Sequence, residues 1–444
     1  MPKREGLQER RTKRGFTQES LAALLNVSPR TVRGWEAGTS APYPEHRQPL
    51  ADALDVTLDG LDRLLDGLSL GESGITSAAR FDSTTVHTAG RGRVPAFFAG
   101  SSGGKRKPDN VEELLMNAAE ESFDFLSWAE STNVGDLTIE QMHTEVRRIA
   151  HAYLKVPTLP LFSRTLALRD RAFGLLSGHQ APRHARELYA AAGWSLTLLS
   201  WISVDLGRPD AAEDHARAAW MCAERADHNP LRAWVRATQH TAAFWQADYD
   251  TAAQHAADGL NYTGTGTAKL FLSSALALDL ARAGHADRAD STLLQAQQIA
   301  ETVTRAEDEL AGPLTCSLER AGSLWSDTDL VLGRADSALA YADRAVAAFE
   351  AAPNELRNRG SERMTRVQQV KAHLVLRDLA SAEGALRPVL DTPPVNRVRP
   401  LVHRVTEVGT LATEIGGSTD ATARRIHGAV TDFRRDTVIE ELTA

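Results

Sequence analysis

LGRPDAAEDHA at residues 206–216, QADYDTAAQHA at 246–256, AGHADRADSTL at 283–293, LGRADSALAYA at 332–342 and LRDLASAEGAL at 376–386 are versions of one phrase. In register they align Gly207, Ala247, Gly284, Gly333 and Arg377, with Ala212, Ala252, Ala289, Ala338 and Ala382 five residues later, at intervals of 40, 37, 49 and 44 residues. The phrase predicts a helical hairpin. Its first member ends helix A, a turn of three or four residues follows, and the alanine lets helix B pack closely on its partner. From Val111 onward apolar residues recur at i, i+3, i+4 and i+7, with Gly or Pro at intervals and no strand-like block. Hairpins repeated in this way stack into a solenoid. At least five units are expected over about 183–395, with capping helices in 111–180 and 396–440.

The phrase resembles the tetratricopeptide repeat, with its turn Gly and the Ala five residues on. The units are longer than that family's usual repeat, and its characteristic Tyr and terminal Pro positions are mostly unmatched. In the arrangement the resemblance implies, fixed positions of helix A line a concave surface, and they hold Trp194, Trp201, Trp234, Phe244, Trp245, Phe271 and Arg282, then Arg320, Asp327 and Lys371. The expectation is an aromatic-lined groove flanked by charge, suited to a peptide or an amphipathic small molecule. Packing of the same tryptophans between neighbouring helices is the competing reading.

Upstream, residues 67–110 are dense in Gly, Ser and Thr without a sustained period, which predicts a flexible linker. Within it Val94–Phe98 form an apolar island, and Lys105, Arg106 and Lys107 a basic cluster. The chain has 444 residues, a formal net charge of −8 and 42% hydrophobic residues, enough for two or three domains. No apolar run is long enough for a membrane span, and Cys222 and Cys316 are too far apart in the sequence to suggest a disulfide framework; both features point to the cytoplasm. No phosphate-cradling Gly-rich loop, His-Glu-x-x-His or nucleophile elbow is present, so no enzyme, cofactor or metal site is expected.

The N-terminal stretch FTQESLAALLNVSPRTVRGWEAGTSAP, residues 16–42, reads as two short helices around a tight turn. Thr17 caps the first, Glu19 sits in its first turn, and Leu21, Leu24 and Leu25 form its apolar face. Asn26 tolerates the left-handed turn. Ser28 and Pro29 begin the second helix, which turns Val32 and Trp35 inward and leaves Arg30, Thr31, Arg33 and Gly34 outside. Residues 1–47 carry nine Lys/Arg against five Glu, whereas 48–66 carry five Asp against Arg63 alone. The basic footprint is therefore local, as expected of a site-specific DNA reader.

This stretch resembles the helix-turn-helix of the XRE family of phage-repressor-like regulators, through Thr17, Gln18, Leu21, Ala22, Val27, Ser28, Thr31, Val32, Trp35, Glu36, Gly38 and Pro42. The resemblance places Ser28, Pro29, Arg30, Thr31 and Arg33 toward the groove and Gln18, Thr17 and Thr39 near phosphates. Gly34 stands where the family often carries a base-reading side chain.

Together the two resemblances imply an all-α chain: a five-helix phage-repressor-like DNA-binding domain at 1–66, a Gly/Ser-rich linker at 67–110 and a tetratricopeptide-like solenoid at 111–440. The architecture is similar to that of cytoplasmic peptide receptors of Gram-positive bacteria, and the composition looks actinobacterial. The implied function is a nucleoid-associated, homodimeric transcriptional regulator that binds a double-stranded DNA operator, with a peptide, small-molecule or protein effector in the solenoid groove. A protein-docking adaptor with weak or no DNA binding of its own is the alternative.

Overall fold

The computed structural model describes residues 5–25, 27–38, 40–42, 44–65, 110–153, 155–304, 308–354, 357–417 and 419–437. The expected linker, with its apolar island and basic cluster, therefore lies almost wholly outside the described residues, as do Asn26 and Thr39. The described elements form two units, both all-α.

The N-terminal unit comprises α1 (Glu5–Lys13), α2 (Gln18–Leu24), α3 (Pro29–Glu36), α4 (Pro44–Leu54) and α5 (Leu58–Leu65). Leu21, Leu25, Val32, Trp35, Leu50, Leu54, Leu61 and Leu64 make one core, with Val27 packed at its edge. Leu24 departs from expectation: it is 58% exposed rather than part of the α2 apolar face. Over so short a helix, Leu21 and Leu25 already fill the one-residue-wide stripe that meets α3.

The second unit begins with α6 (Val111–Glu130), α7 (Asp136–Ala152) and α8 (Thr158–Leu176). Hairpins follow: α9 (Pro182–Asp205) with α10 (Pro209–Ala226), α11 (Asn229–Trp245) with α12 (Tyr249–Gly259), and α13 (Ala268–Arg282) with α14 (Ala286–Ala300). They continue as α15 (Leu318–Val331) with α16 (Ala335–Ala351), α17 (Arg359–Val375) with α18 (Leu379–Leu390), and α19 (Arg399–Gly416) with α20 (Ala421–Arg435).

The five residues aligned from the sequence all have left-handed backbone: φ is 74° at Gly207, 60° at Ala247, 84° at Gly284, 76° at Gly333 and 61° at Arg377. Each closes helix A in the same way. The N–H of the next residue donates to the carbonyl five positions back, as from Arg208 to Ser203 at 2.8 Å, Asp248 to Ala243 at 3.1 Å and Arg334 to Asp329 at 2.8 Å. This double-bonded Schellman cap satisfies carbonyls that the helix end leaves unpaired and reverses the chain. Five residues on, Ala212, Ala252, Ala289, Ala338 and Ala382 are each 0% exposed. Their lack of a larger side chain allows the two helices to touch.

The A helices differ from the B helices in where their apolar residues face. In α9 every residue from Ala190 to Val204 is buried, whereas α10 buries a single stripe of Ala212, Ala216, Ala219, Cys222, Ala223 and Ala226. Apolar character around the whole circumference marks an inner helix, and a single stripe an outer one. The inner row curves until its ends meet: a Cβ on Gly207, in the α9 turn, would lie 2.9 Å from Arg399 Cγ of α19.

Ala247 and Arg377 hold the left-handed conformation at the steric cost of a Cβ. Ala247→Gly and Arg377→Gly are each expected to raise stability by about 0.5–1 kcal/mol. Gly333→Ala, whose Cβ meets nothing within 4 Å, should lower it by about 1 kcal/mol through backbone strain alone. Urea denaturation of the three variants checks both signs.

Candidate DNA interface and ligand cavity

In the N-terminal unit Glu36, the acid of the Trp-Glu-x-Gly exit, fastens α3 to α1 and α2. Arg11 Nε donates to its Oε1 at 2.6 Å and Gln18 Nε2 to its Oε2 at 2.5 Å, while Arg11 Nη1 reaches the Phe16 carbonyl at 2.7 Å. Arg11 and Glu36 are each 7% exposed, so the pair is enclosed and fully hydrogen-bonded, the condition under which a buried ion pair is tolerated. Arg10 is buried as well and donates to the carbonyls of Leu54 and Asp55 at 2.7 and 2.6 Å.

These bonds give internal partners to several of the polar and basic side chains of this unit. Gln18, placed near phosphate by resemblance, has its amide turned inward to Glu36. Arg10 and Arg11 belong to the structural frame, Arg14 lies 3.4 Å from Asp55, and Arg47 pairs with Asp62. Arg30 and Arg33 are exposed on α3, three residues apart and hence on one face, and neither has an ion pair among the described residues. Ser28 caps α3 by accepting from Thr31 N at 3.1 Å, its hydroxyl 2.8 Å from Thr31 Oγ1, and Pro29 takes the first helical position. Thr17 and Ser20 cap α2 reciprocally, Ser20 N to Thr17 Oγ1 at 3.0 Å and Thr17 N to Ser20 Oγ at 2.8 Å. Ser28 and Thr17 remain exposed beside the arginines, with Pro29 and Thr31 half-buried.

The inner row of A helices in the second unit borders a partly open cavity of about 470 Å³. Trp201, Phe244, Trp245 and Phe271 line it, and Phe271 links the floor, 6.0 Å from the Trp201 ring. Arg320 lies over both rings, 5.1 Å from Trp201 and 4.6 Å from Phe271, and donates to the carbonyls of Pro313 and Thr315. Burial pulls its guanidinium below the ordinary arginine range. Opposite, Asp205 accepts a hydrogen bond from the Tyr153 hydroxyl, and burial raises its carboxyl to about 7.

A charged relay crosses the wall of the cavity. Asp327 accepts from Arg282 at 2.9 Å and from Arg404 at 2.6 Å, while Arg404 and Lys371 both reach Glu407. Burial opposes ionisation of Asp327, but Arg404, Arg282 and Lys371 outweigh it and hold its carboxyl below the usual range. Arg404 also lies over Phe244 and Trp245, at 5.5 and 5.3 Å.

The aromatic groove read from the sequence is thus divided. Trp201, Phe244, Trp245, Phe271 and Arg320 line the cavity; Arg282 and Lys371 line an adjoining groove with Asp327. Trp194 and Trp234 are 2% and 3% exposed and serve as core, Trp194 edge-on to His228 and Trp234 against Phe271. Two features escaped the sequence: Arg404, on a helix read only as a cap, and the arginines at the start of α17. Neither falls within the repeated phrase, and only closure of the superhelix brings them to the aromatic floor.

Among the described residues no helix is long and apolar enough to cross a membrane, and no cluster of three or more His, Cys, Asp or Glu is placed to hold a metal. Cys222 and Cys316 are buried and neither is in a disulfide, the Cys222 thiol pushed up to about 11 by burial.

No curated protein matches the chain significantly. Among solved structures it is similar to a Rap protein complexed with competence and sporulation factor, at 13% identity and TM-score 0.43, over 73% of this chain and 92% of that one. Residues 7–61 match the family model described as Helix-turn-helix, and the N-terminal unit is accordingly an XRE-type helix-turn-helix domain.

Proposed function

We propose that the chain is a sequence-specific transcriptional regulator whose DNA binding is controlled by a ligand or partner held in the helical-repeat unit. In this reading residues 1–66 read the operator, 67–110 link, and 111–440 sense. The observation that carries it is the conjunction, in one chain, of a helix-turn-helix domain presenting Arg30 and Arg33 without an ion pair among the described residues and a helical unit whose inner aromatics face a partly open cavity. Arginine forks suit guanine O6 and N7 in the major groove, with Ser28 beside them in the groove and Thr17 near phosphate. One module with few base-reading side chains gains discrimination by pairing on a pseudo-palindrome, so a homodimer is part of the proposal. An effector shifts such a regulator only by binding its two states with different affinity.

Operators are to be selected from random duplex DNA with the full chain and measured by gel shift. Arg30→Ala is expected to weaken selected-site binding roughly 5- to 150-fold, with a smaller loss on random DNA. Equal binding of both DNAs by wild type and variant contradicts the specific-reader reading and favours the adaptor.

Native mass spectrometry of the chain purified from its host should show a dimer carrying a retained non-covalent adduct. Phe244→Leu, at a half-buried cavity position, should lose the adduct at nearly unchanged melting temperature. Trp234→Ala is expected to destabilise by about 3–5 kcal/mol as a core deletion. Retention of the adduct by Phe244→Leu places the ligand elsewhere.

A further inference from the structure

We propose that the ligand of this cavity is an organic acid, its oxyanion held by Arg359 and Arg363 and its apolar body by the aromatic floor. The inference rests on reading the cavity as a ligand site. Six cationic side chains line the cavity against two carboxylates, Asp205 and Asp327. Four of these six cations already have partners, Lys155 Nζ lying 3.1 Å from His151 Nε2. Arg357 pairs with Glu362 at 2.5 Å, Arg404 with Asp327 and Glu407, and Arg320 with two carbonyls and two rings.

Arg359 and Arg363 are different. Among the described residues Arg359 makes one hydrogen bond, donating to Asn354 Oδ1 at 3.1 Å, and Arg363 makes no hydrogen bond or ion pair. Four apart on α17, they occupy one helix face, where like charges repel. Burial, then Arg359 itself, pulls Arg363 below the ordinary arginine range. Arg359 is exposed and Arg363 half-buried; neither is ion-paired among the described residues, and Glu362 only partly offsets the charge at Arg363. Both line the cavity, where two such guanidinium groups offer a fork for carboxylate or phosphate. Gln368, 3% exposed in the same wall, leaves its Oε1 without a donor, so the protein alone does not complete this region. The cavity also holds Trp201, Phe244, Trp245 and Phe271, surface that a bare inorganic anion would leave unfilled. The matching chemistry is an acid on an aromatic or aliphatic body, whether a free small acid or the terminal carboxylate of a peptide.

Two fluorescent probes with one ring system isolate the charge: anilinonaphthalenesulfonate, which is anionic, and N-phenyl-1-naphthylamine, which is neutral. The full chain is expected to bind the anionic probe about tenfold or more tightly than the neutral one. Arg359→Gln with Arg363→Gln should abolish that preference while leaving neutral-probe binding and melting temperature unchanged. Displacement of the anionic probe by the dipeptide Leu-Phe but not by its C-terminal amide assigns a peptide carboxylate; displacement by 3-phenylpropionate alone assigns a free small acid. Equal binding of the anionic probe by wild type and double variant overturns the anion subsite and leaves the cavity reading standing. Failure of both probes to bind wild type overturns the cavity reading with it.

Discussion

A left-handed residue at the end of every repeated A helix is the constraint on which the second unit depends. Gly207, Ala247, Gly284, Gly333 and Arg377 share it, and each closes its helix with the same double cap. The cap fixes where the chain reverses, and the alanine five residues later sets how near the returning helix comes. Repeated along the chain, this geometry holds the A helices on the inside and bends their row until α9 meets α19. The cavity is a consequence of that curvature rather than of any single helix.

The same reasoning explains what the sequence disclosed. A left-handed turn and a fully buried alanine each admit few residue types, so both leave a local signature, and the repeat could be aligned even where Ala247 and Arg377 replace glycine. In the N-terminal unit the capping pair at Ser28 and the inward Val32 and Trp35 were legible for the same reason: they depend on neighbours a few positions away. Leu24 misled because helical periodicity does not say how wide the buried stripe is. The pairing of Gln18 and Arg11 with Glu36 left no local signature because Glu36 lies 18 and 25 residues away.

Long-range pairing also hid much of the cavity. Helix positions counted from each turn located Trp201, Phe244, Trp245, Phe271 and Arg320 correctly on its wall, yet Trp194 and Trp234, at equivalent positions, are core. Which equivalent position meets open space depends on how the superhelix closes, and the residues that close it come from α17 and α19. Arg404 and Asp327 are 77 residues apart and meet at 2.6 Å. That pair, with Arg404 lying over Phe244 and Trp245, ties the last hairpin to the aromatic floor.

The central claim is that occupancy of the helical unit decides when the N-terminal unit holds DNA. Its most direct test is the dissociation constant of a selected operator duplex, read by fluorescence anisotropy with ligand-free chain and with chain whose cavity native mass spectrometry shows to be filled. The account predicts a change of about tenfold or more between the two. The same constant for empty and filled protein would contradict it.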